Sequence, residues 1–76
     1  MNKQKLKKLL YGIGNRQFFK TKILDIGYQP YELRDEMHLL LNHGLIIPWS
    51  VGYYKRLFDN HDVDKVYKKL CKEMGL

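Results

Sequence analysis

Apolar residues recur at helical spacing in four stretches of this chain, and the spacing breaks down in a fifth. The clearest stretch is 29–47, where Leu33, Met37, Leu40 and Leu41 fall at i, i+4, i+7 and i+8, one face of a helix. Pro30 suits the first helical position, Glu32 can reach back to the free N–H groups, and Tyr28 and Leu33 are spaced as a hydrophobic staple. Gly44 supplies a left-handed residue at the end, letting Leu45 fold back onto Leu40. The pattern predicts a helix over 30–43. Residues 3–13 predict another, with Leu6, Leu9, Leu10 and Ile13 as its stripe and Gly12 and Gly14 breaking it. Asn15 is a candidate N-cap for a third over 16–26, burying Phe19, Ile23 and Ile26 and ending at Gly27. A fourth, over 63–74, buries Val63, Val66, Tyr67, Leu70 and Met74 and turns Lys65, Lys68, Lys69 and Lys72 to water, with Asn60 or Asp62 as its cap.

Between Leu45 and Asp59 the helical period is lost. Ile46, Ile47, Pro48 and Trp49 are consecutive, Pro48 excludes a helix interior or central strand, and Ser50-Val51-Gly52 suits a turn. Tyr53 to Phe58 reads as the return strand of a hairpin or as a short helix capped by Ser50, with the hairpin preferred. Two helices joined by a short glycine-containing link form a helix-turn-helix unit. The expected fold is mainly α with a small β-hairpin: a three-helix core, a candidate wing over 46–58 and a C-terminal helix, in one domain spanning 1–76.

At 76 residues one small core is all the chain can hold. No apolar run approaches the roughly 20 residues of a membrane span, and the lysine-rich start lacks the apolar stretch of a signal peptide. A cytoplasmic protein is expected, in the host cytoplasm if viral. Cys71 is the only cysteine, so no internal disulfide forms, and it reads as a small buried residue. The net charge of +6 favours nucleic acid, an anionic surface or an acidic protein as partner. Alanine is absent while Lys, Tyr, Ile and Leu abound, the usage of an AT-rich genome such as that of a phage or plasmid.

The stretch 23–46, ILDIGYQPYELRDEMHLLLNHGLI, resembles the helix-turn-helix of winged-helix transcriptional regulators. Gly27 stands at the turn, Pro30 opens the recognition helix, and Leu33 is its first buried position. Leu40 closes it, and Gly44-Leu45-Ile46 leads into the wing. The resemblance implies a DNA-binding protein, a regulator or excision factor of a phage or mobile element. Helix 30–43 would enter the major groove, and Lys55 and Arg56 of the wing would hold the backbone.

Helical geometry sets Tyr31, Asp35, His38 and Asn42 opposite the buried face, with Leu39 beside them and Arg34 on a flank. Tyr31, Arg34, His38 and Asn42 can donate to bases or phosphates. Arg16, Gln17, Lys20 and Lys22 are candidates from the preceding helix, and Tyr53, Lys55 and Arg56 from the wing. Against this, Glu32, Asp35 and Glu36 outweigh Arg34, and like charges at phosphates cost affinity. The alternative is a winged-helix protein-interaction module, such as a phage-encoded inhibitor or adaptor acting on a host protein through Tyr31, Asp35 and Leu39. Double-stranded DNA is the preferred partner, with the C-terminal helix offering a homodimer face and no membrane partner expected. Tyr54 and Trp49 are read as core residues.

No enzyme, cofactor or metal site is expected. His38, His43, His61 and Cys71 lack metal-ligand spacing, and His43 suits the helix C-terminus. Asp35 and His38 have no positioned nucleophile beside them. Gly12-Ile13-Gly14 lacks both the third glycine and the preceding strand of a phosphate-binding loop.

Overall fold

The computed structural model describes residues 2–76. Helix α1, Lys3–Gly14, begins at Asn2, whose Oδ1 accepts from the N–H groups of Gln4 and Lys5 at 2.9 and 3.1 Å. Strand β1, Phe18–Phe19, follows, then a 3-10 turn at Thr21–Ile23. A second 3-10 turn, Pro30–Leu33, runs directly into α2, Arg34–Asn42. Strands β2, Ile46–Ser50, and β3, Tyr53–Arg56, form the hairpin, and α3, Val63–Met74, closes the described chain. The result is an α/β domain of three helices and one three-stranded antiparallel sheet in the order β1-β3-β2. Leu6, Leu9, Leu10 and Ile13 of α1 meet Phe19, Leu33, Leu40, Ile46 and Leu70 in a single core.

The ends of α2 form for the reasons the sequence suggests. Glu32 Oε2 accepts from the Gln29 N–H at 2.7 Å, in the reciprocal manner of a capping box. At the other end Gly44 takes φ +68°. The Gly44 N–H donates to Leu41 at 3.1 Å and the Leu45 N–H to Leu40 at 3.0 Å, the paired bonds of a Schellman close. The hairpin and α3 also fall within the expected ranges.

The helix expected over 16–26 is absent. Phe18 points out and Phe19 in, the two-residue alternation of a strand. Phe18 pairs with Lys55 and Phe19 with Tyr54, and the Arg56 N–H donates to the Gln17 carbonyl at 2.7 Å. Asn15 is therefore the C-cap of α1 and not the N-cap of a second helix. Asp25 and Gly27, at φ +50° and +88°, keep the rest of the stretch irregular. The fold is thus less helical than expected, with a third strand where the second helix was placed.

Gly12 and Gly14 do not break α1; both lie inside it. They are small because neighbours come close. A Cβ on Gly14 would lie 2.5 Å from Val63 Cγ2, and one on Gly12 would lie 2.9 Å from Ile26 Cγ2. Gly14 thereby seats the first turn of α3 against the end of α1.

Candidate nucleic-acid interface

The exposed side of α2 carries Arg34, His38 and Asn42 at successive turns, with Tyr31 just before the helix and 78% exposed. Tyr31, Arg34 and His38 open onto a groove of about 380 Å3, closed on its far side by Thr21 and Tyr54. Spacing along one helix therefore brings these three together as expected, and the fold adds the hairpin and the 3-10 turn after β1. Lys20 and Tyr53, one residue before Thr21 and Tyr54, pair at the same end of the sheet, with Lys20 Nζ 4.7 Å from the Tyr53 ring centre. Lys22 lies in the adjoining hollow with Asp25, Gln29 and Pro30.

Two of the three acids of the 30–43 stretch have internal duties. Glu32 caps the Pro30 turn. Glu36 is only 2% exposed, and its Oε2 accepts from the Asn2 N–H at 3.2 Å. That sets a carboxylate at the positive end of α1. Of the three, only Asp35 is both exposed and unengaged.

The burial of Glu36 also corrects the orientation of α2. Because the start of α1 covers the Glu36 side, the buried arc is rotated toward Glu36 and Leu39 and away from Leu41, which is half-buried. Leu39 is 6% exposed and part of the core. It cannot centre the protein-binding surface of Tyr31, Asp35 and Leu39.

Arg56 is a second correction. Its Nη1 donates to the carbonyls of Gly14 at 2.6 Å and Ile13 at 3.4 Å, placing a cation on the negative end of α1. Its Nε is buried without a partner. Arg56 is held by the fold and is not a free wing cation. Arg16 opens onto a different groove, with Tyr11, Leu24 and Ile26, and Gln17 offers its carbonyl to β3. The cations nearest the α2 groove are Arg34, which lines it, Lys20, next to Thr21, and Lys22, in the adjoining hollow, while Lys55 faces outward on the other side of the sheet. None of them forms an ion pair among the described residues.

The outer face of the sheet holds residues that sequence reading missed or misplaced. Phe18 of β1, Lys55 of β3 and Ile47 of β2 form one cross-strand row. Trp49, expected in the core, is 54% exposed. It follows Ile47 by two positions, just where the β2–β3 register shifts. Its ring centre lies 5.4 Å from that of Phe18, and Lys55 Nζ sits 4.6 Å from it. Tyr54, on the inner face, stacks on Phe19 with centres 5.7 Å apart, the core role expected of it. Phe18 could have been found from parity: if Phe19 is buried in a strand, its neighbour is not.

The charge is distributed unevenly. Helices α1 and α3 carry eight lysines against Asp64 and Glu73, which accounts for the whole net charge of +6. Yet no carboxylate occurs over 15–24 or 43–58, the two stretches that hold the sheet. Elsewhere, Asp59, His61 and Asp62 bring three ligand atoms within 4.8 Å of one another. They are solvated side chains on a 3-10 turn, with His61 Nε2 at 4.0 and 3.9 Å from the two carboxylates, and no metal site is assigned to them. His43 Nδ1 lies 3.6 Å from Glu73 Oε2, linking the end of α2 to α3. Cys71 is buried. No helix among the described residues is long and apolar enough to cross a membrane.

Comparison with protein-family models, with curated proteins and with solved structures found no match.

Proposed function

We propose that this chain is a small DNA-binding protein of winged-helix type, a regulator or excision factor of a phage or mobile element. The observation that carries the reading is the shared groove of Tyr31, Arg34 and His38 with Thr21 and Tyr54. Lys20 adjoins it in sequence, and Lys22 lies in the neighbouring hollow, where Asp25 is the one acid. Donors on one helix face can meet base edges while lysines on a neighbouring element neutralise phosphates, the division of labour of a duplex reader. The hairpin leaving α2 directly across Gly44-Leu45 supports the winged-helix part of the reading. Glu36, buried against the start of α1, does not face a bound phosphate. The helix before the turn is reduced here to the single 3-10 turn at Thr21–Ile23, so α2 is positioned mainly by its contacts with α1 and the sheet.

Paired substitutions on one helix face test this. Arg34→Gln removes a donor and a positive charge, and Asp35→Asn removes the one exposed acid of α2. In anisotropy titrations with a labelled duplex at low salt, Arg34→Gln weakens binding and Asp35→Asn tightens it, each by roughly three- to tenfold. Equal affinities for both variants and the unaltered protein would overturn the assignment of this face.

A further inference from the structure

We propose that the outer face of the sheet binds single-stranded DNA, with Phe18, Trp49 and Tyr53 stacking on bases and Lys20 and Lys55 meeting the phosphates. The proposal rests on the nucleic-acid reading above and deepens it by adding a surface suited to a strand that is no longer paired.

Three observations carry it. First, three aromatic side chains are left exposed on one face of a three-stranded sheet, although the core of this small domain takes other large side chains completely. Phe18 and Trp49 approach each other across β3 from the two edge strands, with the Lys55 ammonium beside both rings. Their outer surfaces remain open, an apolar patch of the kind that marks a binding site. Second, each cation on this face lies beside a ring: Lys55 at Trp49 and Lys20 at Tyr53. Cation–π contact at an exposed site is weak, so both ammonium groups can turn to a phosphate while their rings accept a base. Third, the three strands carry no carboxylate, and none occurs over 15–24 or 43–58, so no strand side chain repels a phosphate chain.

Aromatic stacking interleaved with positive charge is how proteins hold single strands. A duplex cannot use such a face well, because its base faces are already stacked on one another. The α2 groove offers the reverse: polar donors for base edges, and no ring arranged for stacking except Tyr31. The two surfaces meet where Lys20 and Thr21, and Tyr53 and Tyr54, adjoin in sequence. An opened duplex could therefore lie with its paired part along α2 and its freed strand across the sheet.

Trp49 is the only tryptophan, so its emission reports directly on this face. The probe is oligothymidylate of about a dozen nucleotides, within the site sizes of single-strand binders. Oligothymidylate is expected to quench Trp49 emission to saturation, and added salt to reverse the quench. With a labelled oligonucleotide, Trp49→Ala and Phe18→Ala should each weaken single-strand binding by roughly tenfold. Duplex affinity should stay unchanged, and thermal melts should show both variants folded. Lys55→Gln, a milder change on the same face, should weaken single-strand binding and lower its salt dependence. Single-strand binding that leaves Trp49 emission and the Trp49→Ala affinity unaltered would overturn the proposal. So would duplex binding with no single-strand binding, which would leave the nucleic-acid reading standing. Failure of both nucleic acids to bind would remove the underlying reading as well.

Discussion

Arg56 separates two accounts of the same residue. Beside Lys55 it reads as a phosphate contact on a wing. The structure instead gives it to the carbonyls of Gly14 and Ile13 at the end of α1. A hydrogen bond from a charged donor contributes about 1.5–3 kcal/mol. The 2.6 Å bond to Gly14 falls in that class, and the 3.4 Å contact adds little. The cation also complements the helix dipole, but that benefit overlaps with the bond and is not counted again. The buried, unpartnered Nε subtracts from the gain. Arg56→Met, which keeps the apolar stem and removes the guanidinium, should therefore cost about 2 kcal/mol. A domain of this size holds about 4–11 kcal/mol in total, and the melting temperature should fall by about 8–16 °C. Arg56→Lys should recover part of the loss, since one ammonium can reach one carbonyl. Well below the melt, duplex affinity and its salt dependence should be those of the unaltered protein. A melting temperature within about 2 °C of the original, together with a log–log salt slope shallower by about one, would refute the reasoning and return Arg56 to the phosphate backbone.

Other expectations follow from the same geometry. Gly14→Ala should destabilise the protein despite alanine's better helix propensity, because overpacking against Val63 costs about 1–3 kcal/mol against a gain of about 1. In a double-mutant cycle by urea denaturation, Val63→Ala should relieve at least about 1 kcal/mol of that loss, and strict additivity would contradict the contact. Glu36→Ala should cost about 1–3 kcal/mol and Glu36→Gln less, because the amide keeps the volume and an acceptor for the Asn2 N–H; equal losses would mean that shape and not hydrogen bonding matters there. Tyr11 and Tyr67 both titrate above the ordinary tyrosine range, Tyr11 chiefly because its hydroxyl donates to Asp64 and Tyr67 chiefly through burial. Raised acid pKa values favour the protonated fold, so this contribution is complete below the ordinary tyrosine pKa and is lost as pH rises through the raised values. Stability measured by urea should fall more steeply above about pH 10 in the parent than in Tyr11→Phe, and parallel curves would contradict the Tyr11–Asp64 bond.

What the sequence made legible was local. The capping of α2 by Glu32, its glycine close at Gly44, the hairpin turn over 50–52 and the bounds of α3 each depend on residues a few positions apart. The stretch 16–26 was misread because Phe19, Ile23 and Ile26 fit a helical face as well as they fit anything else. What decides its structure is the pairing of Phe18 with Lys55, a contact between residues far apart in the chain. Arg56 and Lys55 look alike in sequence, yet strand parity distinguishes them. Arg56 lies two residues from Tyr54 and shares its inward face, while Lys55 faces out. The same parity turns Trp49 outward with Ile47. Leu39 was misplaced because the apolar positions alone centre the buried arc on Leu33, Met37, Leu40 and Leu41. Only the fold shows that the start of α1 draws the arc toward Glu36, which no count of apolar residues would include.

The central proposal is that a duplex is held at the α2 groove by the three cations nearest it. The most direct measurement is the affinity of a labelled random-sequence duplex as a function of salt. Lys20, Lys22 and Arg34 allow a log–log slope between about −2 and −3, at roughly 0.9 per neutralised phosphate. A slope in that range, made shallower by about one in Lys20→Gln, is the predicted result. A slope steeper than about −6 would shift the contact to the lysines of α1 and α3, and no binding at low salt would contradict the account altogether.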